Sequence, residues 1–325
     1  IETLTLGVFN VWLGMNSLSG ASQISSVLFL FVVVLLTLEL IARKKQKFYE
    51  KSSGQNISSP TQAKGISTLI CLAICLTPLF LGFIIPVLVL LKFTISGYAI
   101  IDLMNIIYIT FTSVSLAVFS SIAVMFISIL MIVVSAYNSN NFHKILIFLS
   151  SCGYAFPGII LAVGVVVFVG WLNDTIYFRI NYFTGGIMIL MFAYSIRFLA
   201  VGNGAIKAGI TKIHLNLIDS SRIMGFNFFK IIVRIIIPLI YTNILVGGIL
   251  VFVDILKELP MTLLLRPFNF ETLATYVYQY ASDEMLEECS MAALMIVLTG
   301  IGPVILLNAA IKKASKMKKS EPLIF

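Results

Sequence analysis

The sequence predicts an all-α, polytopic membrane protein, on three observations. Of its 325 residues, 59% are apolar and 11% charged. The mean hydropathy is +1.05, the balance of a chain solvated by lipid rather than water. Apolar runs long enough to cross ~30 Å of hydrocarbon as helix, roughly 20 residues each, recur along the chain. Seven are read, at about 25–42, 66–91, 106–135, 145–171, 184–203, 236–256 and 291–311.

Ahead of the first span, residues 1–24 read as a loop with no basic n-region of the signal-peptide kind. Behind it, "RKKQKFYEKSSGQNISSPTQAKG" (43–65) is basic and then rich in Ser, Gly and Gln, the composition of a linker. The remaining six spans follow without another such stretch. Pro157 and Gly158 fall inside the fourth and are expected to kink it or admit close packing. Ser113, Ala117 and Ser121 recur every four residues in the third, a small-residue packing seam.

The net charge of +8 raises the question of nucleic acid, and the positions of the basic residues answer it. Outside the spans, one set of alternate segments holds 17 Lys and Arg and the other only Lys92, Arg179, Lys257 and Arg266. That asymmetry is the one expected when the first set is cytoplasmic, so the basic runs are topology signals and no nucleic-acid partner is expected. The C-terminus is then cytoplasmic and residue 1 outside, which needs an odd number of spans. Four cysteines and two histidines at scattered positions build no metal cluster or disulfide framework.

One segment near the end repeats the beginning. At an offset of 269, Glu2, Thr3, Leu4 and Val8 fall on Glu271, Thr272, Leu273 and Val277, and Phe9 on Tyr278. The first span falls on 294–311, and Arg43, Lys44 and Lys47 on Lys312, Lys313 and Lys316. Loop, span and basic tail thus recur in one orientation, the mark of a duplicated transporter bundle. The expected organisation is an outer loop and the last transmembrane helix of a first half (1–42), a cytoplasmic linker (43–65), a complete six-helix half (66–313) and a cytoplasmic tail (314–325). The rest of the first half is expected upstream or in trans.

Between the fifth and sixth spans lies the longest polar stretch of the second half, 204–235. Asp219, Ser220 and Ser221 can open or continue a short helix, Gly225 suits a left-handed helix end, and Asn227 can cap a second helix. Pro238 is tolerated at a first helical position. Local chemistry therefore predicts helix, glycine turn, helix, then a span, which by itself also describes an interfacial amphipathic connector.

The spacing narrows this. Asp219-Ser220-Ser221, three residues, Gly225, nine residues, then Ile235-x-Ile237-Pro238 resembles the EAA loop of ATP-binding-cassette importer permeases, with Asp for Glu, Ser for both Ala and Ile for Leu. The resemblance implies a type I importer permease fold, in which this segment docks on a separate cytoplasmic ATPase dimer. "GYAFPGIILAVG" (153–164), "RFLAVGNG" (197–204) and the run 254–284 resemble ferric-iron permeases with two fused halves. That implies a bacterial inner-membrane transport subunit served by an extracytoplasmic binding protein, with no cofactor and no enzymatic site of its own. Thiamine and phosphonate permeases share the architecture but are not expected to keep the 254–284 run.

The chain itself is not expected to hydrolyse ATP. Gly204-Ala-Ile-Lys-Ala-Gly209 is followed by Ile210-Thr211 and lacks the Lys that a phosphate-binding loop requires there. Hard cations such as ferric iron prefer oxygen ligands, so Asp254, Glu258, Tyr276, Tyr278, Tyr280 and Asp283 are candidate donors along a transient route. Lys257 or Arg266 could instead simply neutralise Asp254 and Glu258. The acidic run Asp283, Glu284, Glu287 and Glu288 fits a solvated helix face or a steering patch for a binding protein. An ion-coupled secondary transporter would want carboxylates at mid-span, and only Glu39 and Asp254 come near that; an intramembrane enzyme would want convergent His, Asp or Glu, which His143 and His214 are too isolated to supply.

Overall fold

The computed structural model describes residues 3–44, 65–98, 100–137, 141–175, 186–213 and 215–320. The predicted linker across 45–64, His214, Arg179 and the last five residues of the predicted tail lie outside them. All regular structure among the described residues is helical. Among the described residues six helices are long and apolar enough to cross a membrane, and a bent pair passes the same test if counted as one span.

The N-terminal unit is a short helix, α1 (Leu4–Phe9), continued by a π turn (Asn10–Gly14), and the long helix α2 (Leu18–Lys44). Thr3 caps α1, its hydroxyl accepting from the Leu6 N–H at 3.3 Å. Helices α3 (Ile66–Leu79) and α4 (Ile85–Ser96) make one crossing, joined by a π turn (Phe80–Ile84) placed just ahead of Pro86. A proline ring displaces the carbonyl of the preceding turn, and a widened turn there takes up the displacement. Helix α5 (Leu103–Tyr137) crosses back.

The fourth predicted span, 145–171, is not one helix. Helix α6 (Asn141–Cys152) gives way to a 3₁₀ turn (Gly153–Ala155), and the crossing helix is α7 (Gly158–Thr175). Phe156 is extended, at φ −84° and ψ 137°, because the residue ahead of a proline is driven out of the helical region. Pro157 and Gly158 therefore end one helix and start another, a stronger effect than the expected kink.

Helix α8 (Ile187–Ile210) runs a further two turns beyond its predicted end. Then come α9 (Leu215–Ile223), α10 (Phe228–Ile231), a π turn (Ile232–Ile236), α11 (Ile237–Leu239) and α12 (Tyr241–Leu256). The axis bends by 74° between Leu239 and Tyr241. Pro238 accordingly sits in the approach helix, two residues after a π turn, and not at the first position of the crossing helix. The chain ends in α13 (Pro260–Leu265), α14 (Leu273–Ser282) and α15 (Leu286–Ser320).

The core lies where α5, α8 and α12 meet, with Leu190, Tyr194, Phe198, Val124, Ile206 and Val251 fully or almost fully buried. Lipid supplies no hydrophobic drive between helices, so close backbone approach through small residues replaces it. A Cβ on Gly202 would lie 2.3 Å from the Ser128 hydroxyl, and one on Gly247 would lie 2.7 Å from the Ala205 Cβ. Ser121 donates to the Gly248 carbonyl at 2.8 Å, so the predicted seam on α5 does bind α12. Helix α2 packs on α7, and α15 packs on α4 and α14.

Candidate functional site

Two places bring polar chemistry out of the apolar scaffold: the loop from α9 to α11 and the segment from Asp254 to Asp283.

In the first, Gly225 ends α9 at φ +80°, a left-handed conformation that strains any residue with a Cβ. Its N–H bonds the Arg222 carbonyl at 2.9 Å, and the Phe226 N–H reaches back to Ser221 at 3.1 Å. These two bonds are a Schellman ending, which satisfies carbonyls that the helix leaves open. Asn227 then caps α10, its side chain accepting from the Lys230 N–H at 3.1 Å. Asp219, Ser220 and Ser221 lie in the last turns of α9, so they continue a helix and do not open one. Ser221 is buried and donates to the Leu217 carbonyl at 2.6 Å.

Around this turn large apolar side chains stand exposed beside Arg222, Asn227 and Lys230. Ile223 is 87% exposed, Met224 67% and Phe229 71%. Ile235 and Ile237 are half-buried and Pro238 exposed, on the approach helix that leads into α12. The loop is thus a doubly capped hairpin of short helices with exposed apolar residues at its tip, joined directly to the crossing helix.

In the second place, Asp254 lies in the last turn of α12 whereas Glu258 falls two residues beyond its end, so the two do not share a helical face and meet different partners. Asp254 pairs with Lys257 at 2.8 Å, the neutralisation foreseen as an alternative. Glu258 is 7% exposed and meets Arg197 of α8 at 3.2 Å. Burial raises the Glu258 carboxyl above the ordinary range, opposed by the Arg197 guanidinium and by the Met261 N–H. Gly158, the first residue of α7, completes this cluster: a Cβ there would lie 2.2 Å from an Arg197 nitrogen and 2.7 Å from the Glu258 carboxylate. The ion pair therefore ties α8 to the segment after α12, with the start of α7 packed closely against it. Arg266, the other foreseen neutraliser, pairs with Glu271 at 3.6 Å and bonds Thr275 at 3.3 Å.

Among the described residues no hydrogen bond, ion pair or ring contact joins Asp254 or Glu258 to Tyr278 or Tyr280. Tyr280 packs on Tyr276 with ring centroids 4.4 Å apart. Tyr278 stands at the surface of α14, its ring meeting Phe9 of α1 edge to face at 6.4 Å. Among the described residues no three His, Cys, Asp or Glu converge on a metal-sized site. Arg197 is the residue that sequence reasoning passed over. Its signal was available, since a lone arginine inside an apolar run demands a partner.

No family model matches the chain. The comparison with curated proteins finds the Fe(3+)-transport system permease protein FbpB 2 of Haemophilus influenzae, 26% identical over 322 residues, covering 94% of this chain. The chain spans 60% of that relative's length. The resemblance to ferric-iron permeases drawn from the residues is the one this comparison finds. The chain is an all-α, polytopic membrane protein similar over nearly its whole length to a permease of an Fe(3+)-transport system.

Proposed function

We propose that this chain is the membrane-spanning permease subunit of a binding-protein-dependent ATP-binding-cassette importer that carries ferric iron into the cytoplasm. The observation that carries this reading is the hairpin around Gly225. Ile223, Met224 and Phe229 stand exposed together at its tip, as a docking surface requires, and its direct connection to α12 suits the transmission of force. In the proposed arrangement Ile223, Met224 and Phe229 enter a groove on an ATPase dimer, and closure of that dimer moves α12 through the approach helix. The chain itself hydrolyses nothing. It sits in the bacterial cytoplasmic membrane with the hairpin and the C-terminus on the cytoplasmic side, as the distribution of Lys and Arg supports.

A bilobed binding protein would deliver the ion to the opposite side, where 254–284 lies. Asp254, Glu258, Tyr278 and Tyr280 are proposed as transient oxygen donors. Glu258 is engaged by Arg197, so a passing cation would have to compete for it, whereas Asp254 needs only to release the exposed Lys257. A second permease half, on the same polypeptide or another, completes the importer. The test is uptake of radiolabelled ferric ion by vesicles holding permease, ATPase and binding protein, with ATP inside. ATP-dependent accumulation supports the reading. Accumulation that survives inactivation of the ATPase overturns the importer, and uptake of thiamine in place of iron overturns the substrate.

A further inference from the structure

Every carboxylate between Asp254 and Glu271 is already matched by a cation. Asp254 pairs with Lys257 at 2.8 Å, Glu258 with Arg197 at 3.2 Å and Glu271 with Arg266 at 3.6 Å. A bare trication entering this segment would meet the positive member of each pair as well as the negative one, with no net charge to attract it. The third pair is the loosest. Its separation is beyond hydrogen-bonding range, so a third group can join it.

Arg266 and Glu271 line a cavity of about 420 Å³, bounded by α13, the loop that follows it and α14, with Asn269 and Gln279 among its walls. Bonds to α5 hold the loop in place: Thr112 donates to the Glu271 carbonyl at 3.1 Å, and Ser113 accepts from the Leu273 N–H at 2.8 Å. Thr112 lies about 13 Å along α5 from Leu103. Over that stretch the exposed residues are Met104, Ile107, Tyr108 and Phe111, a surface suited to lipid. The cavity is thus recessed into the apolar band, where ionisable side chains are costly to hold and mark a path or site for polar cargo. A guanidinium presents donors and no acceptor, and the Asn269 and Gln279 amides add further N–H groups. Donors around a positive charge hold an oxyanion such as phosphate, carbonate or a carboxylate. Glu271 offers the opposite, a hard oxygen for a hard cation. A cation and an oxyanion bound to each other satisfy both.

We propose that this cavity binds a ferric ion together with an oxyanion: Arg266, Asn269 and Gln279 take the anion, and Glu271 contributes an oxygen to the ion. The cargo is then a ferric–oxyanion complex of low net charge and not a bare trication, which suits a segment whose own charges cancel. The identity of the cation rests on the importer reading; the oxyanion site rests on the cavity itself.

The experiment is equilibrium dialysis of the full chain, purified in nanodiscs, against radiolabelled phosphate, carbonate or citrate, each alone and with an equal amount of ferric ion. Expected is saturable binding of at least one of the three, tightened by ferric ion and weakened about tenfold or more by Arg266→Gln, the size of a lost hydrogen bond to a charged group. Glu271→Gln should keep the anion and lose the tightening. Asn269→Gly, which suits the left-handed φ of 59°, and Gln279→Ala change exposed positions and should each weaken the anion severalfold, so they carry the test if Arg266→Gln fails to fold. The proposal is overturned by no saturable binding of any label, by binding that these variants leave unchanged, or by binding that ferric ion does not tighten. Uptake by vesicles holding permease, ATPase and binding protein separates it from the importer reading. Anion binding without ATP-dependent ferric uptake leaves the site standing and sinks that reading; ATP-dependent ferric uptake with no labelled anion entering beside it sinks the proposal alone.

Discussion

Arg197 and Glu258 show how one residue pair is decided by its surroundings. Removing one member of a buried ion pair strands the other charge, at about 3–5 kcal/mol, while removing both with groups of similar volume is often near neutral. Arg197→Met is therefore expected to lower the unfolding temperature of the purified chain sharply. Arg197→Met with Glu258→Gln should recover most of that loss. A double variant no more stable than the single one would show that the pair is not the source of the effect. The same pair complicates any test of the proposed ion route, since Glu258→Ala would unbalance Arg197 as well as remove a proposed donor. Asp254→Asn is the cleaner variant, because its partner Lys257 is mostly exposed. It is expected to reduce ferric uptake severalfold while the ATPase still co-purifies; unchanged uptake would take Asp254 off the route.

At the scale of the element, the hairpin around Gly225 makes the sharpest demand on sequence. Open space surrounds Gly225, so a substitution there meets no clash and is opposed only by its positive φ. Residues with a Cβ occupy that region at a cost of roughly 1–2 kcal/mol, and Asn bears it best. Gly225→Val should leave insertion intact and weaken ATPase association at least tenfold, with Gly225→Asn closer to the parent in a pull-down assay. Equal behaviour of the two would show that the turn conformation does not matter for docking. Crossing helices impose a different rule. Gly202 has the Ser128 hydroxyl where a Cβ would go, so Gly202→Val should push α5 from α8 and lower the yield of folded protein in detergent, whereas Gly204→Val, facing open space, should not.

For the whole molecule, the contact between the N-terminal unit and the C-terminal helices makes a prediction of its own. Phe9 and Tyr278 join α1 to α14 across 269 residues of sequence, and an edge-to-face aromatic pair contributes about 0.5–1.5 kcal/mol beyond the area it buries. Phe9→Ala and Tyr278→Ala should each lower stability, and the double variant by less than the two together. Strict additivity in thermal unfolding would mean that the rings do not interact.

The sequence by itself determined the class of the molecule, because crossing a bilayer needs apolar length and a helical backbone, and both are local properties. The same holds for the hairpin: a glycine for a left-handed end, an Asn for a cap and a proline two residues past a wide turn act within a few residues of themselves. The helix starts at Thr3 and Thr272 are alike for the same reason, since a cap acts within three residues of itself. Only the tertiary structure decided the rest. The break at Phe156–Pro157 could be read as a kink or an ending until the placement of α6 showed which, and a π insertion leaves no mark in composition. Asp254 and Glu258 look alike on paper, one turn apart on one helix. Asp254 meets an exposed lysine three residues away, whereas Glu258 meets an arginine some 60 positions off, and that second contact depends on how α8 lies against α12.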